Sequence, residues 1–302
     1  MSEKIGELNQ FENQETPEEY NPVITLRERE FYPGVISKDE NGKEKIEDED
    51  LRYIFKFLRE NIKEGSLLNM GAGITHCHHM VGLADKLTQI TALDISPKNN
   101  QLIKEFLDGI KGIGGQTMVG GSDMETLKTL SSALARDKQE FGIEKSGREL
   151  LDLFYEKSFY KGLPDIIAAD MIEDMDKLGS GELVDGRKYD NIMFSFALYV
   201  RDKTDLANLF ENLKKRLNPG GRIVIIDAKT FSFDEENESE ILYSEDNMVL
   251  EKYSEAYDWT IEDIKEVAQK VGFGKVEAQD YQIQDKKEEQ ENFGGYLFLK
   301  IE

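Results

Sequence analysis

The segment Leu67-Leu68-Asn69-Met70-Gly71-Ala72-Gly73-Ile74-Thr75 constrains this chain more than any other. An apolar run ends in Gly-x-Gly, and a helical pattern, HCHHMVGLADKL, follows. Glycines at such a turn let the backbone bend sharply and let a ligand approach main chain without meeting a Cβ. A second apolar run, QITALDIS, carries Asp94 at its end, 21 residues after Gly73. An acid placed there can accept both hydroxyl hydrogens of a ribose. Together these features read as a nucleoside-binding strand–turn–helix–strand unit.

The rest of the chain extends that unit into one sheet. DLRYIFKFLRENIK places Leu51, Ile54, Phe55, Leu58 and Ile62 on one helical face. NNQLIKEFLDGI is helical, and residues 122–161 read as helical in two segments joined by the Gly142–Gly147 region. DIIAAD and YDNIMFSFALYV read as strands three and four. DLANLFENLKKRL reads as a helix stopped by Asn218-Pro219-Gly220-Gly221, before RIVIID as strand five. After the helix TIEDIKEVAQKVGF, the segments GKVEAQDYQIQ and GGYLFLKIE form an antiparallel pair. Alternating strands and helices imply a doubly wound, mostly parallel α/β sheet of seven strands. The expected division is an N-terminal extension or lid at 1–50 and one domain at 51–302, with a helical insertion at about 115–163.

Composition narrows the function. Of 302 residues, 38 are basic and 61 acidic, a net charge of −23. Such a surface disfavours nucleic acid, whose affinity rests on phosphate contacts. No run approaches the roughly 20 apolar residues of a membrane span. The acidic N-terminus has no secretory pattern, so the expected location is cytoplasmic. With a single cysteine, Cys77, neither a disulfide framework nor a multi-cysteine zinc site is available. His76, Cys77, His78 and His79 are contiguous. On a helix such neighbours point about 100° apart, so no metal site is expected; one histidine packs and another lies near the ligand.

These motifs resemble the class I S-adenosylmethionine-dependent methyltransferases over about residues 50–302. LLNMGAG matches the glycine motif, Asp94 the ribose acid, Asp170 of AAD the adenine-edge position, YDNIMFSFALYV strand four, and LNPGGRIVIID strand five. Within that group the pattern is most similar to the nicotinamide and phenylethanolamine N-methyltransferases. Gly71, Gly73 and Thr75 match their Gly-x-Gly-x-Thr, Asn99 an asparagine five residues past the ribose acid, Ala169-Asp170-Met171 a Cys-Asp-Val-like segment, and Asp227-Ala228 an Asp-Ala pair. Three departures stand out. Asn69 replaces a common acid, the N-terminal tyrosine pair has only Tyr20 and Tyr32 as candidates, and Phe196-Ala197-Leu198-Tyr199-Val200 lacks the substrate acid.

The resemblance implies S-adenosylmethionine as cofactor, S-adenosylhomocysteine as product, and methyl transfer to a small molecule at an amine or ring nitrogen. Cofactor-binding candidates are Asn69, Gly71, Gly73, Thr75, Asp94, Asn99, Asp170, Met171 and Ser195. Asp227, Tyr199 and Tyr32 are the catalytic candidates, orienting the acceptor. The stretch at 234–246 holds seven acids and no base, which favours a cationic acceptor. Three alternatives stay open: an NAD(P)-dependent oxidoreductase, opposed by His76 where a dinucleotide fingerprint has a third glycine; an aminopropyltransferase; and a non-catalytic partner subunit.

Overall fold

The computed structural model describes residues 36–38, 40, 42, 44–72, 76–94, 100–101, 103–104, 107, 124–160, 163–170, 173–195, 197–198, 200, 202–228, 259–281 and 296–302. A short hairpin, β1 (Ile36–Lys38) and β2 (Glu44–Ile46), leads into α1 (Glu49–Asn61). Asp48 caps α1 by accepting from the Leu51 N–H at 2.8 Å. Leu51, Ile54, Phe55, Phe57 and Leu58 form its buried face, each contributing about 1.5–3 kcal/mol on burial. At its far end the Lys86 ammonium donates to the carbonyls of Arg59 and Ile62, two acceptors that the helix itself leaves open.

β3 (Gly65–Met70), α2 (His76–Val81) and β4 (Leu87–Asp94) then build the expected strand–turn–helix–strand unit. α2 is shorter than the expected HCHHMVGLADKL. It stops at Val81, and residues 82–86 run as tight turns held by Leu83 N–H to Met80 O and Lys86 N–H to Leu83 O. Arg59 fixes that stop. Its guanidinium donates to Gly82 O at 2.7 Å and pairs with both Asp85 oxygens.

The insertion folds as α3 (Met124–Arg136), α4 (Lys138–Phe141) and α5 (Gly147–Lys157), with a two-residue pair β5 (Phe159–Tyr160) and β6 (Leu163–Pro164) after it. The helix therefore ends before 161. Ser158 terminates it, its N–H and its hydroxyl both donating to Phe154 O. A Cβ on Gly147 would sit 2.7 Å from the Ser132 nitrogen, so this glycine is what lets α5 lie against the α3 backbone. Leu127, Leu130, Leu134, Leu150, Leu151 and Phe154 all join the core.

β7 (Ile166–Ala168), α6 (Met175–Ser180), β8 (Tyr189–Ser195), α7 (Lys203–Arg216), β9 (Leu217–Ala228), α8 (Ile261–Val271), β10 (Val276–Tyr281) and β11 (Tyr296–Ile301) complete the chain. The main sheet has the order β10-β11-β9-β8-β3-β4-β7. β11 is antiparallel to both β9 and β10, so it alone runs against the other six strands. The last strand in sequence thus inserts between β9 and β10 instead of adding at the edge. This is the doubly wound, mostly parallel seven-stranded sheet expected from the sequence, with one antiparallel strand.

The Asn218–Gly221 cluster is not a plain turn. Tyr189 pairs with Leu217, and Asn191 with Arg222, so it forms a bulge inside β9. β8 likewise ends at Ser195 and not at Val200. One face of the sheet carries α1, α2 and the insertion; the other carries α6, α7 and α8. Trp259 packs into the second core beside Ile264, at the N-terminus of α8, as expected of a packing residue.

Candidate functional site

In doubly wound sheets, ligands bind at strand C-termini where the strand order switches direction. Here that point lies between β3 and β8, whose neighbours on either side are β4 and β9. Strand alternation puts Asn69, Asp94 and Ser195, at the ends of β3, β4 and β8, on one face, the one covered by α1 and α2. All three are buried. Adjacent strands lie about 4.8 Å apart, so the three span roughly two strand spacings.

Gly71 has φ +58°, the left-handed region that a side-chain-bearing residue seldom adopts, and it turns the chain off β3. The next N–H, of Ala72, donates to Leu93 O at 3.0 Å and fastens the turn to β4. The Asp94 carbonyl accepts from Asn100 Nδ2 at 3.1 Å and from the Ala169 N–H at 3.2 Å. The ends of β4 and β7 are thereby held together. Asp170 follows, 5% exposed. Its Oδ1 accepts from the Glu173 N–H at 3.0 Å, and its own N–H donates to Asp174 Oδ2 at 2.9 Å. Lys177 and the Asp170 N–H hold the Asp174 carboxyl below the usual range.

Ser195 closes β8, and its Oγ lies 3.1 Å from His79 Nδ1. His79 is 1% exposed, and burial pushes its pKa down to about 4, so the ring is neutral at neutral pH. Phe55 meets it edge to face, with ring centroids 6.0 Å apart. His78 and Cys77 are buried as well, and burial raises the Cys77 thiol. Among the described residues no three His, Cys, Asp or Glu side chains come together as a metal site. The Ser195–His79 pair was not legible in sequence, since 116 positions separate its members.

Asp227 stands apart from this group. It is half-buried on β9, opposite Leu297 of β11, and alternation from Ile225 and Ile226 turns it to the α7–α8 face. Gly73, Thr75, Asn99, Met171, Tyr199, Tyr32 and the acidic stretch at 234–246 lie outside the described residues. Among the described residues, no helix is long and apolar enough to cross a membrane.

No protein-family model matches the chain, and no curated protein matches it in sequence. Solved structures do resemble it. An O-methyltransferase family protein from Burkholderia thailandensis aligns over 84% of this chain and 55% of its own, at 11% identity and TM-score 0.44. The chain thus spans little more than half the length of that protein. A S-adenosylmethionine-dependent methyltransferase from Clostridium acetobutylicum aligns over 84% and 89%, at 12% identity and TM-score 0.40. A precorrin-6y C5,15-methyltransferase from Geobacter metallireducens aligns over 90% and 95%, at 12% identity and TM-score 0.41. At these identities the likeness is one of fold: a seven-stranded sheet with one antiparallel strand and helices on both faces.

Proposed function

We propose that this chain binds S-adenosylmethionine at the C-terminal lip of β3, β4, β7 and β8 and transfers its methyl to a small molecule, at an amine or ring nitrogen. The observation that supports this most is the placement of a buried carboxylate, Asp94, at the end of β4 beside the left-handed turn at Gly71. The residue chemistry fits the group. Asp94 is an acceptor for ribose hydroxyls. Gly71 turns the chain without a side chain and leaves main chain open to the methionine portion. Asn69 and Ser195 line the same face and Asp170 is assigned the adenine edge, with Gly73, Thr75, Asn99 and Met171 as the further candidates that the resemblance supplies.

When bound, S-adenosylmethionine supplies a methyl activated by its sulfonium. The protein's own residues then have to hold the acceptor, exclude water and settle the nucleophile's protonation. A protonated amine cannot attack, so a base must take its proton; Asp227, near the end of β9 on the α7–α8 side, is assigned that task for an acceptor that reaches over the strand end, with Tyr199 and Tyr32 orienting it. The net charge of −23 favours an acceptor that arrives cationic.

Calorimetric titration tests the cofactor. S-adenosylmethionine and S-adenosylhomocysteine should bind and NAD should not; binding of NAD alone would return the chain to the oxidoreductases. An acceptor panel scored by product mass and methyl position tests the rest. Transfer to oxygen or carbon would remove the nitrogen assignment, and transfer of an aminopropyl group would replace the reaction.

A further inference from the structure

A buried serine facing a buried histidine needs a reason. Their surroundings are apolar: Met193 and Ile226 beside Ser195 on the sheet, Cys77, Met80 and Phe55 around the helix. An alanine and a leucine would fill such a layer without desolvating either polar group, a desolvation that costs about 1–3 kcal/mol when left unmatched. The pair also sits at the strand ends that carry Asn69 and Asp94, and not in the middle of the sheet.

We propose that His79 is a positioning residue that fixes the Ser195 hydroxyl toward the ligand bound at this lip. The inference rests on the S-adenosylmethionine reading above and adds to it a residue outside the motifs matched in the sequence. A neutral imidazole has one donor and one acceptor nitrogen. Burial keeps His79 in that form. The 3.1 Å contact between Nδ1 and Oγ therefore works in either polarity. If the serine donates to Nδ1, its lone pairs face the ligand. If Nδ1–H donates, the serine hydrogen is free for the ligand. The ring fixes the rotamer, and the tautomer follows what the ligand needs.

Four variants measured for S-adenosylmethionine affinity by titration calorimetry test this: Ser195→Ala, His79→Phe, His79→Asn and the double change His79→Phe/Ser195→Ala. Phenylalanine keeps the ring without a hydrogen bond, whereas asparagine can place an amide atom near Nδ1. Ser195→Ala should weaken binding about 3–10-fold, the worth of one hydrogen bond. His79→Phe should match it, the double variant should be no weaker than Ser195→Ala, and His79→Asn should stay within about twofold of wild type. Equal affinity in wild type and His79→Phe overturns the proposal, as do additive losses in the double variant. A merely structural role would weaken folding without this coupling in affinity. Should His79→Phe not fold, His79→Asn and Ser195→Ala carry the test, and wild-type affinity in Ser195→Ala overturns it. Failure of wild-type protein to bind the cofactor overturns the proposed function and this inference together, while binding by wild type with no effect of His79→Phe overturns the inference alone.

Discussion

The two faces of the sheet bury polar groups in different ways. On the α6–α8 face, Asp165 closes a network at mid-sheet. Its Oδ2 accepts from Thr91 Oγ1 at 2.6 Å, Gln89 Nε2 at 2.7 Å and Arg187 Nη1 at 2.5 Å, while the Tyr189 hydroxyl donates to Thr91 at 3.3 Å. Burial pushes the Tyr189 pKa up to about 12, which keeps it a donor. On the α1–α2 face Asn69, Asp94, Ser195 and His79 lie buried at the C-terminal strand ends, while Asn191, at the start of β8, is matched by the Lys63 and Ser66 backbone. The first arrangement joins β4, β8 and the residue before β7 through side chains, and the Asp165 carbonyl adds a bond from the Ala92 N–H at 2.9 Å. The second sits where the chain turns off the sheet and where a ligand can enter. Burial of a carboxylate therefore has two meanings in one sheet, cross-link and lip, and position along the strand separates them.

The cross-link should give the largest effect. Asp165→Ala removes the carboxylate paired with the largely buried Arg187 guanidinium, a change that costs about 3–5 kcal/mol. Urea unfolding should show that loss, and the folded fraction should keep its cofactor affinity. A loss of affinity at unchanged stability would move Asp165 into the site and break the distinction between the faces.

His79 should give the next effect, on the opposite face and as a function of pH. Its folded pKa, about 4, lies below its ordinary value of 6.5, so the unfolded chain takes the proton first. The stability this contributes is complete above pH 6.5 and is lost as pH falls toward 4, amounting to about 3 kcal/mol. Urea midpoints at pH 7 and pH 5 should therefore differ less in His79→Phe than in wild type. Equal slopes would mean that the ring is reached by water.

Asp94 should affect binding more than folding. If the proposed function holds, its removal leaves the ribose hydroxyls without an acceptor, at roughly 1–3 kcal/mol of cofactor affinity, or about 5–150-fold. Asp94→Glu keeps the charge and should lose less. Two variants with wild-type affinity would make Asp94 a plain strand-end acid, and the lip would lose its main anchor.

Much of this contrast was legible in the sequence, and the remainder failed for one physical reason. The succession of main-sheet strands up to β9, the glycine turn and the place of Asp94 at the end of β4 rest on local patterns, in which each residue's place follows from its near neighbours. The insertion of β11 between β9 and β10, the Asp165 network and the Ser195–His79 pair depend on residues far apart in the chain. No spacing rule reaches across 116 positions. The shortened α2 has the same origin: its residues 82–86 carry a helical pattern, but Arg59, from another helix, takes the Gly82 carbonyl and the Asp85 carboxylate. Asn218–Gly221 was read correctly as the end of α7, yet only its pairing with β8 shows it to be a bulge within β9.

The smallest effect bears on the helical insertion. Two helices carry the same device on opposite faces. Ser146 caps α5 by accepting from the Glu149 N–H at 3.3 Å, with Glu149 returning to the Ser146 N–H at 2.8 Å. Thr260 caps α8 in the same reciprocal way with Asp263, at 3.1 and 3.4 Å. Losing a cap costs about 1 kcal/mol wherever the helix unfolds together with the rest. α8 packs on the second core through Ile264, Val267 and Ala268, so Thr260→Ala should lower global stability by that amount. α5 buries Leu150, Leu151 and Phe154 in the first core, and Arg52 ties α1 to Asp137 and Glu140 of the insertion. Ser146→Ala should therefore cost as much as Thr260→Ala in urea unfolding. If Ser146→Ala leaves the main transition unchanged but speeds hydrogen exchange over 147–157, the insertion opens on its own, as a lid must. If both variants shift the main transition equally, α5 belongs to the body of the domain, and any lid has to be sought in other parts of the chain.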